Sequence, residues 1–306
     1  MYEEVTVRGT ERLLRYLQEF RVEQFIFSSS MLVHAPAPPP ERIDEDSPLV
    51  PMWNYPESKV ETERLMGARH GDIPIVLLRI AGVYGDGTHS IPLAHQMQRI
   101  YERRLTSHLF PGNPSHGASF LHLDDLVDAF ARVIARRAQL PAEITLLLGE
   151  PEALGYGELQ DTFGRLIHGR EWATWRIPAW VAKVGAWVQD KMPFGKDPFI
   201  KPWMIPRADD HYALDITRAR ETLGWEPRRS LRVTLPTMVA ALKADPLGWY
   251  RENELDPPGR LKRDDDPRTS TADVDQTTGR QEHPAPRRSH TPWVPNSPTT
   301  RWARAA

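Results

Sequence analysis

Three apolar runs set between helical patterns constrain this 306-residue chain most. They are Gln24-Phe-Ile-Phe-Ser-Ser-Ser30, Ile73-Pro-Ile-Val-Leu-Leu-Arg-Ile80 and Glu143-Ile-Thr-Leu-Leu-Leu148. Each is nearly continuous in apolar side chains instead of alternating, so each predicts a strand covered on both faces, as in a parallel sheet. Helical spacing fills the intervals: Val5, Leu13, Leu14 and Leu17 within 3–20, and Val60, Leu65 and Met66 within 55–69. Further helices are predicted over 91–103, 124–137 with Asp124 near the N-cap, and 156–167. The turn-prone Gly82-Val-Tyr-Gly85-Asp-Gly87 reads as a loop. The fold class is α/β, a doubly wound parallel sheet.

After Gly169 strands become scarce and Trp frequent. Ile177, Trp180, Val181, Val184, Trp187 and Val188 make one helical face, expected to cover a core or close a substrate pocket. A last helical pair is predicted over 216–223 and 231–243. From Leu255 onward the chain is rich in Pro and charge and poor in large apolar side chains, so it is expected to be a disordered tail. The expected organisation is therefore a sheet domain over 1–168, a small and mostly helical substrate region over 169–254, and a tail over 255–306.

Composition removes several function classes. With Lys+Arg 39 against Asp+Glu 41, the net charge of -2 argues against a nucleic-acid scaffold. The absence of Cys excludes disulfides, thiolate metal sites and a Cys nucleophile. The histidines show no metal-ligand spacing with carboxylates, so no metal is expected. No apolar run reaches membrane-spanning length and no signal peptide is evident, which leads to an expected cytoplasmic location.

One constellation carries chemistry. Ser28-Ser29-Ser30 ends the first strand, and Tyr55-Pro-Glu-Ser-Lys59 opens the helix that follows, with Tyr55 and Lys59 four apart on one helical face. A phenol near pKa 10 is a poor base at neutral pH, and a neighbouring ammonium is expected to lower that value. Such a Tyr exchanges a proton with a substrate hydroxyl while hydride moves to or from a nicotinamide. Ser30 would hold the same oxygen, and Lys59 would also reach ribose hydroxyls. The plainer alternative is a helix start with a snorkelling Lys beside a Ser-rich turn.

The ordered segments VTVRGTERLLRYLQEFRVEQFIFSSSMLVHA, NYPESKVETE and LLRIAGVYGDG closely resemble the extended short-chain dehydrogenase/reductase family of epimerases and dehydratases. The resemblance continues through FLHLDDLVDAF, LLLGEPEALGYGELQ and LDITRARETLGWEP and covers roughly residues 3–250. It implies a Rossmann-type domain and an NAD- or NADP-dependent enzyme, either an epimerase/dehydratase or an alcohol oxidoreductase. Ser30, Tyr55 and Lys59 take the catalytic roles by this match. Ser28, Tyr55, Lys59, Ile80, Ala81, Gly82 and Val83 line the nicotinamide side. Asp125 and Glu63 are matched to structural positions, and a homodimer is implied through the helices that begin near Glu4 and Tyr55.

Three departures from the family pattern qualify these expectations. No Gly-rich phosphate turn precedes Ser28, where the only glycine is Gly9. The chain starts where the family's fourth helix would, so about 90 residues of the nucleotide-binding half are expected to be missing. Either the start codon is misplaced, or the gene is a truncated binding or assembly protein. Second, Gly82 stands at the usual Asn, and Ala118 at an Arg that meets a diphosphate, with His116 or Arg176 as substitutes. The substrate is thus a nucleotide sugar or an apolar alcohol or ketone. Third, His34 replaces a common Tyr and reads as a loop histidine or a second acid/base.

Overall fold

A computed structural model describes residues 2–182, 202–259 and 261. A single π-helical turn, Glu3–Val7, leads into α1 (Arg8–Leu17). Strand β1 (Phe25–Ser30), α2 (Asn54–Arg69) and β2 (Ile75–Ile80) follow. The next elements are β3 (Gly82–Tyr84), α3 (Ile91–Tyr101), β4 (Leu109–Phe110), β5 (Gly117–His122) and α4 (Leu123–Ala135). They are succeeded by β6 (Glu143–Leu148), β7 (Ala153–Gly155), α5 (Tyr156–His168) and β8 (Trp175–Arg176). Three helices complete the described chain: α6 (Thr217–Leu223), α7 (Leu231–Ala244) and α8 (Pro246–Glu252).

The three predicted apolar runs form one parallel sheet in the order β1-β2-β6, with Ser30 opposite Ile80 and Ile80 opposite Leu148. Both faces are covered, as continuous apolar strands require. Phe27 and Ile75 pack with Leu14 and Met66 from α1 and α2 on one side. Val76, Leu78, Leu146 and Leu148 pack with Ala129, Val133, Leu223 and Trp225 on the other. A second core joins Tyr84, Phe120, Leu154 and Phe163 to Trp172, Met238 and Trp249. The fold is α/β with a Rossmann-like parallel sheet.

Local chemistry sets the helix ends. Ser230 caps α7 by accepting the Val233 N–H, Asp245 caps α8 by accepting the Gly248 N–H, and α5 stops at Gly169 with φ of 73°. The sequence reading needs correction at Gly82–Tyr84 and is refined at β5 and at the start of α4. Gly82–Tyr84 is a strand, not a loop, because the chain leaves the first sheet at Ala81 and pairs in parallel with β5. The turn is confined to Gly85–Thr88, whose backbones exchange hydrogen bonds. Strand β5 was read only as a motif. The α4 cap is His122, whose Nδ1 accepts the Asp124 N–H at 3.1 Å, because β5 runs directly into the helix.

The cores also cut across the expected division at residue 168. Segment 212–225 packs in the first core, and Leu255 and Leu261 pack partly buried against the second. Residues 260 and 262–306 of the expected tail lie outside the described residues. So do Val184, Trp187 and Val188 of the expected stripe; Trp180 and Val181 of that stripe are exposed, and Trp172 is buried. No described helix is long and apolar enough to cross a membrane.

Candidate functional site

Parallel strands leave a crevice at their carboxyl ends, and ligands of open α/β sheets bind there. Here β1 ends in Ser30 and β2 ends in Ile80, in direct register, and α2 returns alongside with Tyr55 in its first turn. The Ser30 hydroxyl accepts the Leu32 N–H at 3.3 Å and lies close enough to the Tyr55 phenol to oppose the effect of burial on it. Lys59 Nζ donates to the Ser28 carbonyl at 2.8 Å and lies 5.6 Å from the Tyr55 ring centroid. It also sits 4.9 Å over the Phe27 ring. The structure thus gathers all three expected catalytic side chains at one strand end.

Their electrostatics differ from expectation. Burial raises the Tyr55 phenol above its ordinary value, and the Ser30 hydroxyl opposes that rise. The expected depression by Lys59 is absent, because the ammonium faces the ring and the Ser28 carbonyl. Burial lowers the Lys59 amine, with the Glu63 carboxylate acting in the other direction.

The residues expected beside a nicotinamide also lie at this crevice. Ala81 donates its N–H to the Leu148 carbonyl at 2.8 Å, which marks the point where the chain passes from one sheet to the next. Gly82 sits against Phe120: an added Cβ would lie 2.9 Å from that ring, so a larger residue there must displace it. In front of Tyr55 is a cavity of about 630 Å³, lined by Tyr2, Met52, Trp53, Asn54, Glu57, Pro206 and Arg207 as well.

Arg207 was not singled out in the sequence. Its Nη1 is buried without a hydrogen-bond acceptor and lies 3.7 Å from Asp210 Oδ2. No pattern in the sequence could have placed it, since it reaches the Tyr55 cavity from 152 positions downstream. Arg176 lines a neighbouring cavity of about 460 Å³, and Pro206 lines both. His116 is engaged with the Asp209 carbonyl at 2.8 Å. Ala118 lines an apolar cavity of about 210 Å³ with Leu93, Phe120 and Leu154.

His34 is not an acid/base at the site. It is fully buried and pushed down to about 4, first by burial and then by the Arg79 guanidinium. Its Nε2 faces Arg79 Nη1 at 3.1 Å, and Nη1 can only donate, so Nδ1 carries the proton toward the Ser47 carbonyl at 3.0 Å. The sequence also gave no signal for Glu150, a buried carboxylate that accepts from the Tyr84 hydroxyl at 2.9 Å and the Leu231 N–H at 2.8 Å.

Comparison with known proteins places this arrangement. A model of the NAD dependent epimerase/dehydratase family matches residues 1–149. The chain is 28% identical over 262 residues to a 3 beta-hydroxysteroid dehydrogenase/Delta 5-->4-isomerase of Mycobacterium tuberculosis, covering 77% of this chain and 66% of that protein. It is 25% identical over 258 residues to a UDP-glucuronate 4-epimerase of Thermodesulfobacterium geofontis, covering 83% and 67%. A solved UDP-glucuronic acid 4-epimerase from Bacillus cereus, in complex with UDP-glucuronic acid and NAD, matches with a TM-score of 0.58 at 18% identity over 78% of this chain and 67% of that one. A dTDP-glucose 4,6-dehydratase from Bacillus anthracis, in complex with NAD, matches with a TM-score of 0.61 at 18% identity over 82% and 71%. The match to the first relative thus spans 66% of that protein's length.

Proposed function

We propose that this chain, whose residues 1–149 match the NAD dependent epimerase/dehydratase family, carries the reacting groups of an NAD(P)-dependent enzyme. The observation that supports this most is the gathering of Ser30, Tyr55 and Lys59 at the carboxyl ends of β1 and β2. Bound nicotinamide would supply or accept the hydride at that crevice. Tyr55 passes a proton to or from the substrate oxygen, Ser30 orients that oxygen by hydrogen bond, and Lys59 holds ribose hydroxyls. The side chains fit the nicotinamide-ribose end of the cofactor.

Substrate choice follows from the cavity in front of Tyr55. Met52, Trp53 and Pro206 give it apolar walls, and Arg207 places one cation among them. We assign to it an alcohol, ketone or sugar that bears an anionic group. The curated relatives span both a steroid dehydrogenase and an epimerase of a nucleotide sugar acid. Val5, Leu13, Tyr16 and Phe20 form an exposed apolar stripe along and just beyond α1, and a second copy would pack there in a homodimer.

The test is turnover by the full chain supplied with NAD and either UDP-glucuronate or a 3-hydroxysteroid. Tyr55→Phe is expected to reduce turnover by about 10²-fold or more while leaving the circular dichroism unchanged. Full activity in that variant would sink the assignment. A second reading is a non-catalytic binding or assembly protein, which would bind no NAD(H). A micromolar affinity measured by calorimetry would count against that reading.

A further inference from the structure

Residues Tyr55, Lys59 and Glu63 stand four apart on α2, so they form one line along the helix. Each meets a different serine of β1. Tyr55 faces the Ser30 hydroxyl, Lys59 Nζ donates to the Ser28 carbonyl at 2.8 Å, and Ser29 Oγ donates to Glu63 Oε1 at 2.5 Å. The first two rungs belong to the candidate reaction site. The third does not touch it.

That third rung is the most heavily anchored. Glu63 and Arg79 are both buried, and Arg79 of β2 meets the carboxylate with Nε at 3.2 Å and Nη2 at 2.7 Å. Arg79 Nη1 continues to His34 Nε2 at 3.1 Å and to the Glu45 carbonyl at 2.8 Å. One carboxylate therefore ties α2 to β1, to β2 and to the loop that follows β1. A bidentate charged pair holds its geometry more tightly than apolar packing does.

We propose that Glu63 is a positioning residue: through Ser29 it sets the end of β1 against α2, and so presents the Ser30 hydroxyl to Tyr55 and the Ser28 carbonyl to Lys59. Residue choice follows from the donors. Glu63 Oε1 accepts from both Ser29 and Arg79 Nε, while Oε2 accepts from Arg79 Nη2. Gln offers one such oxygen and turns an NH₂ toward Arg79, and Asp is one methylene short of β1. The ionisable groups facing the cluster are Tyr55 and Lys59 of α2, Arg79 of β2, His34 and Glu45 of the loop, and Arg218, which lies 3.6 Å from Glu45. The Glu63 carboxylate also favours the Lys59 ammonium against burial. Only the consequence for turnover rests on the function proposed above; the positioning itself does not.

The experiment uses the full chain with its lysines ¹³C-methylated, the Lys59 signal being the one lost in Lys59→Gln. Ser29→Ala leaves the Glu63–Arg79 pair in place and removes only the link to β1. Its Lys59 titration is expected to shift by half a pH unit or more, and Ser29→Thr is expected to restore it. Glu63→Gln is expected to shift Lys59 downward, since it removes the favouring charge. If Ser29→Ala lowers the melting temperature and leaves the Lys59 titration where it was, the rung is structural and the proposal fails. Full turnover in Tyr55→Phe would overturn the catalytic reading instead and would leave this result untouched.

Discussion

Two buried carboxylates divide the molecule by how their charge is answered. Glu63, behind the first sheet, meets a bidentate guanidinium and a hydroxyl. Glu150, at the second core, meets a phenol and a backbone N–H, with no cation within ion-pair distance among the described residues. Burial therefore pushes the Glu150 carboxyl up to about 7. Both are satisfied in hydrogen bonds, so satisfaction alone does not separate them. What separates them is the counter-charge that Arg79 sets beside Glu63 and that Glu150 lacks.

The sharpest way to break the contrast is to remove the counter-charge. Arg79→Met leaves Glu63 buried and unpaired, and is expected to cost about 3–5 kcal/mol in chemical denaturation. A loss of less than about 1 kcal/mol would mean that the ion pair contributes little to the anchor. Next in size is the acid limb. His34 is held near 4 in the folded chain against an ordinary 6.5, so stability is present above pH 6.5 and lost as pH falls toward 4. The loss reaches about 3 kcal/mol, and His34→Gln should lack it when the two stability profiles are subtracted.

Glu150 runs with the opposite sign. Its folded value lies above the unfolded one, so its contribution is present below pH 4.5 and lost as pH rises to about 7. Glu150→Gln keeps an acceptor for one of the two donors, and its net effect near pH 6 is expected to stay within about 1 kcal/mol. The slope between pH 4.5 and 7 should flatten in that variant. An unchanged slope would assign it to another group.

Much of this was legible before any coordinates. The runs 24–30, 73–80 and 143–148 became β1, β2 and β6, because a continuous apolar strand has few places to go except a sheet covered on both sides. Helices over 54–69, 91–101 and 156–168 came from 3.6-residue periodicity and end within two residues of expectation. Strands β3, β4, β7 and β8 were not legible, since two or three residues carry no period.

At the site, sequence alone determined that Tyr55 and Lys59 share a helical face, because a spacing of four is a property of the helix itself. It also determined the line of 55, 59 and 63 along α2. Only the tertiary structure decided what each of them meets. The pairing of Ser29 with Glu63, the neutral His34 held by Arg79, and the reach of Arg207 to the Tyr55 cavity all join residues distant in the chain. So does the direction of the Tyr55 shift, which burial sets against the influence expected of Lys59. Periodicity is local and survives in the order of residues, whereas burial and counter-charge belong to whatever the completed fold brings alongside.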